Sequence, residues 1–170
     1  LVSLLLLFTD VVRKGWPAFQ QTRIQLEVHF DPAELGIAPG ASESELSAAD
    51  YDAVVRQALL ARFPAVTARA DKRELGRLLS VSAAYELRER LMANPALLGH
   101  RELVWLPAHG AADAYVKEAE RIGDPPAAVI SAKQAAWLAE LDAAGAVELG
   151  LNRNLLGNGD SRDPELAGLR

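Results

Sequence analysis

The sequence predicts an α+β fold, a small mixed or antiparallel sheet of about three strands with four helices packed mainly on one face. Three observations carry that prediction. Residues 23–30 alternate polar and apolar without a break, apolar stripes at helical spacing fill the middle of the chain, and Val147, Leu149 and Leu151 alternate again near its end. Half of the 170 residues are hydrophobic and 24% are charged, a globular composition with enough apolar mass for one sizeable core.

The first alternation puts Ile24, Leu26, Val28 and Phe30 on one face of a strand. Asp31-Pro32 ends it, because proline has no N–H to give to a ladder. A loop rich in Gly, Pro and Ala runs from Gly36 to Ala41. Ser47 then reads as a helix start, with Asp50 three residues on and Leu46 placed to staple against Tyr51. Tyr51, Val54, Val55, Ala58 and Leu59 form the buried stripe of that helix, and Pro64 stops it.

Asp71 with Glu74 repeats the start signal. Its stripe, Leu75, Leu78, Leu79 and Ser82, continues toward Tyr85 and Leu91, predicting one helix closed by Asn94-Pro95. The continuous apolar run Leu103–Leu106, ended by Pro107, predicts a strand buried on both faces in the middle of the sheet. A short helix is expected from about Asp113 to Ile122, with Gly123 in the left-handed conformation past its end. Ser131 with Gln134 is a capping box for a last helix whose stripe is Trp137, Leu138 and Leu141, ending at Gly145. The strand through Val147, Leu149 and Leu151 follows.

Composition narrows the function. A net charge of −5 offers no general attraction to polyanions, so nucleic acid is not an expected partner. Cysteine is absent, which removes disulfides, thiolate catalysis and zinc-thiolate sites. His29, His100 and His109 lack second ligands at helical spacing; His29 and Asp31 could begin a metal site but supply only two ligands, so no metal and no cofactor are expected. The acid pairs Glu43 and Glu45, and Asp50 and Asp52, cluster around a helix start, where the dipole favours them, rather than across a cleft. No serine sits in a nucleophile elbow and no glycine-rich turn resembles a phosphate loop. No catalytic residue is expected, and the chain is read as a non-enzyme.

The ends carry the functional signal. Leu1–Phe8 is an apolar run too short to span a bilayer and reads as the last turns of a truncated membrane helix. Close to it stands Gly15-Trp16-Pro17-Ala18-Phe19, and near the other end Gly159-Asp160-Ser161-Arg162-Asp163-Pro164-Glu165-Leu166-Ala167-Gly168. These two segments resemble the borders of the large extracytoplasmic loop in the PstA-type permease subunit of bacterial phosphate ABC transporters. The resemblance implies three parts: residues 1–20 as the end of a membrane helix and juxtamembrane segment, 21–158 as an extracytoplasmic α+β domain, and 159–170 as the membrane re-entry segment. Gly15, Pro17, Phe19, Gly159, Asp160, Ser161, Arg162, Pro164 and Glu165 mark the membrane borders on that reading.

The resemblance further implies an inner-membrane location with the domain on the periplasmic face. Its implied partners are a sister permease subunit, ATPase subunits reached through the rest of the chain, a periplasmic phosphate-binding protein and the membrane itself. The expected role is phosphate import, with this domain interacting or scaffolding; an extracytoplasmic ligand-sensing module between two membrane helices is the alternative. Ser161 and Arg162 are the candidates for ligand binding, since a hydroxyl and a guanidinium suit an oxyanion. The neighbouring Asp160, Asp163 and Glu165 favour instead an arginine that braces the turn. If both ends are anchored in one membrane, the strand through 24–30 leaves the bilayer and that through 147–151 returns, so the two run antiparallel in one small sheet, where they can be neighbours.

Overall fold

The computed structural model describes residues 9, 20–38, 40–123 and 129–151. Chain contacts divide the molecule into two units, residues 22–148 and residues 1–21 with 149–170. The strands are β1 (Gln20–His29), β2 (Arg101–Pro107) and β3 (Val147–Leu151), in the order β2-β1-β3. The described helices are α1 (Pro32–Leu35), α2 (Glu43–Ala48), α3 (Tyr51–Arg62), α4 (Arg69–Gly76), α5 (Ser82–Ala93), α6 (Gly110–Ile122) and α7 (Ala132–Ala143). The fold is α+β with an antiparallel three-stranded sheet.

β1 organises the molecule because its alternation is complete. Ile24, Leu26, Val28 and Phe30 are buried, while Glu27 and His29 on the opposite face are exposed. Ile24 stands opposite Leu106 and Leu26 opposite Val104 on β2. On the other side, Gln25 N–H donates to Ala146 O at 2.8 Å, where the chain enters β3. Adjacency of the first and last strands is therefore as the sequence led one to expect. Helices cover the apolar face, with Leu75, Leu87, Leu91 and Leu141 all fully buried in one cluster with β1.

Four expectations are corrected. β2 is an edge strand and not the middle of the sheet: Leu103 is 62% exposed, Val104 and Leu106 are buried, and the run alternates after all. Pro107 fits that place, since an edge tolerates a residue without an N–H. Ser47 does not open a helix. Ser42 caps α2 in a reciprocal box with Glu45, and Asp50 caps α3 by accepting from Ala53 N–H at 2.9 Å. Tyr51 still reaches Leu46, but through its hydroxyl, which donates to the Leu46 carbonyl at 2.7 Å.

The helix expected from Asp71 to Asn94 is two. Between α4 and α5 the chain turns extended, Leu79 bridges Ala108, Ser80 N–H donates to Pro107 O and His109 N–H to Leu78 O. Hydrogen bonds to the end of β2 replace helical ones there, which residue spacing alone does not reveal. Seven helices are thus described where four were expected, partly because α1 and α2 flank the Gly36–Ala41 loop on residues that were not assigned helices of their own. Asp31 caps α1 and Pro32 takes its first position, where a missing N–H costs nothing. Gly36, at φ 68°, ends it in the left-handed region. The later signals hold: Gly123 has φ 75°, Ser131 and Gln134 form the expected box, and Gly145 has φ 69°.

One fully buried residue carries an orphaned polar group. Thr22 is fully buried on β1 and its N–H donates to Asp113 Oδ1 at 2.7 Å, yet its Oγ1 has no partner among the described residues. A desolvated hydroxyl without a partner costs about 1–3 kcal/mol. Thr22→Val keeps the shape and the backbone donor while removing the orphan. Urea unfolding is expected to show a gain of about 1 kcal/mol; a loss would mean that the hydroxyl has a partner after all.

Candidate functional site

The solvent face of β1 ends in a polar cleft of about 230 Å³ lined by Glu27, His29, Asp31, Glu34, Gln57 and Arg101, with Ala58 and Ala61 of α3 behind them. Strand alternation places Glu27 and His29 side by side on this face. Glu27 pairs with Arg101 at 2.9 Å, and His29 Nδ1 lies 4.0 Å from Asp31 Oδ2. His29 Nε2 meets Gly99 O at 3.3 Å, which makes it the N–H donor. Asp31 is turned to its other task, accepting from Ala33 N–H at the start of α1. No group of three His, Cys, Asp or Glu among the described residues could hold a metal ion.

The other candidate acids lie at helix starts. Glu43 and Glu45 lie in the first turn of α2, and Asp50 and Asp52 at the start of α3. Hydrogen bonds from the Ser42 backbone and then its hydroxyl hold the Glu45 carboxyl below the usual glutamate range. His109 caps α6, accepting from Ala111 N–H through Nδ1 at 3.2 Å. On the sheet edge, Arg90 grips Glu102 through two bonds of 2.7 and 2.6 Å, which lowers the Glu102 pKa and raises that of Arg90. Burial pushes the Tyr51 phenol up, against the Arg88 charge.

The third region lies between α4 and the start of α7. Its open cleft of about 360 Å³ is lined by Ala70, Arg73, Glu74, Arg77, Ser131 and Gln134. Ser131 Oγ–H donates to the Glu74 carboxylate, Gln134 Nε2 to the Glu74 carbonyl, and Lys133 Nζ to Asp71 at 2.5 Å. Both acids of α4 are thereby drawn toward α7. The cations of α4 and of its C-cap are not: Arg69, Lys72, Arg73 and Arg77 are exposed and make no ion pair among the described residues.

At 100° per residue, Lys72, Gly76, Arg69, Arg73 and Arg77 fall on one arc of about 140°. Asp71, Glu74 and the buried Leu75 lie outside it. The sequence shows this spacing, but a reading for helix starts sees only Asp71 and Glu74. Contacts from α7 turn the acids its way, Asp71 pairing with Lys133 and Glu74 accepting from Ser131, so the cations of the face outnumber the Glu74 carboxylate that shares a cleft with Arg73 and Arg77. Lys72 also borders a cleft of about 300 Å³ with Arg56 and Glu34, whose carboxylate accepts from Gln57.

Gly15, Pro17, Phe19, Gly159, Asp160, Ser161, Arg162, Pro164 and Glu165 lie outside the described residues. No described helix is long and apolar enough to cross a membrane.

The described residues thus form an α+β domain whose core, Thr22 apart, is apolar. The chain belongs to the family DUF3333, a domain of unknown function, whose model matches residues 1–122, from the first residue through the end of α6. No curated protein and no solved structure matches it.

Proposed function

We propose that this chain is the periplasmic domain of the permease subunit of a phosphate-import ABC transporter, in the inner membrane, acting by interaction and not by catalysis. The observation that carries this reading is the pairing of β1 with β3. The unit of residues 22–148 begins and ends on neighbouring antiparallel strands, joined by the bond from Gln25 N–H to Ala146 O. A domain inserted between two anchored segments needs its entry and exit on one side, and an antiparallel neighbour pair supplies that. The border segments around Gly15–Phe19 and Gly159–Gly168 supply the resemblance to the transporter.

A filled apolar interior and open surface clefts support docking over the ligand-sensing alternative, which wants an enclosed pocket. The partners on this reading are the sister permease, the phosphate-binding protein, and the ATPase subunits through the rest of the chain. Energy coupling and the path itself lie outside the described residues.

Topology tests the location. The chain has no cysteine, and Gly110 is exposed with open space where a Cβ would point. In intact cells, Gly110→Cys is expected to react with a membrane-impermeant maleimide; reaction only after permeabilisation would place the domain in the cytoplasm. Phosphate is tested separately. Uptake of radiolabelled phosphate should fall when the parent protein is deleted and recover with the intact gene.

A further inference from the structure

We infer that the basic face of α4 is a docking surface for anionic phospholipid, seating the domain against the bilayer. The inference rests on the proposal that the domain is tethered between membrane segments. Four exposed cations, Arg69, Lys72, Arg73 and Arg77, share one arc, and none is neutralised by an ion pair among the described residues. Asp71 is paired with Lys133, which leaves these four cations against the Glu74 carboxylate, itself hydrogen-bonded by Ser131 beside Arg73 and Arg77. This cationic face stands on a chain whose net charge is −5, so general basicity does not produce it.

The chemistry of the face selects the occupant. Protein interfaces concentrate their binding energy in buried aromatic and apolar anchors, and this arc offers only guanidinium groups, an ammonium and Gly76. Long cationic side chains on one side of a helix, with an apolar residue, Leu75, holding the other side in the core, match a polyanionic plane instead. Such attraction needs no shape complementarity. It weakens with salt, because exposed charges are screened within about 10 Å at 0.1 M ionic strength. Tethering near a bilayer raises the local lipid concentration and makes a weak attraction effective.

Gly76 provides a reporter. It lies on the basic arc, its φ is not positive, and a Cβ there meets nothing within 4 Å. The 170-residue chain carrying Gly76→Cys, labelled with an environment-sensitive fluorophore, is mixed with phosphatidylglycerol-containing vesicles and with pure phosphatidylcholine vesicles. The expected result is a blue shift on the anionic vesicles only, reversed by salt. A label at Gly110→Cys, at the start of α6, is expected to stay unshifted, which shows that the contact is local to α4 and not spread over the domain.

Each cation near an anionic surface contributes about a fivefold gain in binding. Arg69→Glu with Arg73→Glu is therefore expected to weaken vesicle binding at least roughly 25-fold with unchanged circular dichroism. Arg101→Glu with Arg121→Glu changes the net charge equally on other surfaces and is expected to leave the Gly76 signal intact. A silent Gly76 label, an equal shift on neutral vesicles, or equal loss in both double variants would overturn the inference. A label silent on vesicles but shifted by an acidic protein would overturn it in favour of a protein partner. A silent Gly76 label with Gly110 reactive from outside the cell defeats the lipid inference alone; a Gly110 that reacts only after permeabilisation defeats the location.

Discussion

Ending the chain at Ile122, where the family match stops, is expected to abolish cooperative unfolding. The matched segment contains β1, β2 and six of the seven described helices, yet it leaves out α7 and β3. Leu138 and Leu141 of α7 belong to the same buried cluster as β1 and α5. Removing two buried leucines gives up about 3–6 kcal/mol of apolar burial. The loss does not end there. Gln25 N–H loses its acceptor at Ala146, and Phe63 loses the Trp137 ring, 6.2 Å away.

Arg62 and Asp71 lose Glu140 and Lys133, although such exposed pairs contribute little individually. Against a typical total of about 5–15 kcal/mol, the burial term alone reaches the margin of folding. Circular dichroism of residues 1–122 in urea should show a broad, non-cooperative change, with dye binding to exposed apolar surface. A sigmoidal transition with a normal slope would show that α7 and β3 are accessory. Truncation should also silence the basic face of α4 as a clean cationic surface, since Asp71 and Glu74 would be released toward it.

The dependence on α7 explains which parts of the fold could be read from residues alone. Local signals survive because their physics is local: the alternation through Ile24 and Phe30, the Ser131–Gln134 box, and the left-handed glycines at 123 and 145. Misreadings occur where a distant partner decides. Leu103–Leu106 looks doubly buried, but only one face of β2 is covered, so alternation buries Val104 and Leu106 and leaves Leu103 exposed. The stripe from Leu75 to Leu91 keeps helical spacing while the backbone at Leu78–Ser80 bonds instead to Pro107 and His109. The basic face was written in the spacing of Arg69, Lys72, Arg73 and Arg77. Its cationic excess depends on contacts from Ser131 and Lys133, about 60 residues away in the chain.

Phe30→Ala is expected to cost about 3–5 kcal/mol, toward the upper end of that range. Phe30 heads the fully buried side chains by volume, with none of its surface exposed. The cost of such a deletion depends on whether the surroundings can close the gap. Here they are fixed on both sides: Phe30 N–H donates to His100 O at 3.0 Å, and its carbonyl accepts from Gly99 N–H at 2.8 Å. One residue later, Asp31 caps α1, so the backbone cannot slide inward without breaking the turn. Ring removal leaves a cavity between β1 and the helices. His29→Ala is the internal control, since that side chain is exposed on the opposite face and should cost less than about 0.5 kcal/mol. Urea midpoints at constant slope provide the comparison. A loss below about 1 kcal/mol for Phe30→Ala would mean that the core relaxes around this site, and that β1 is not the rigid axis on which helices and neighbouring strands are hung.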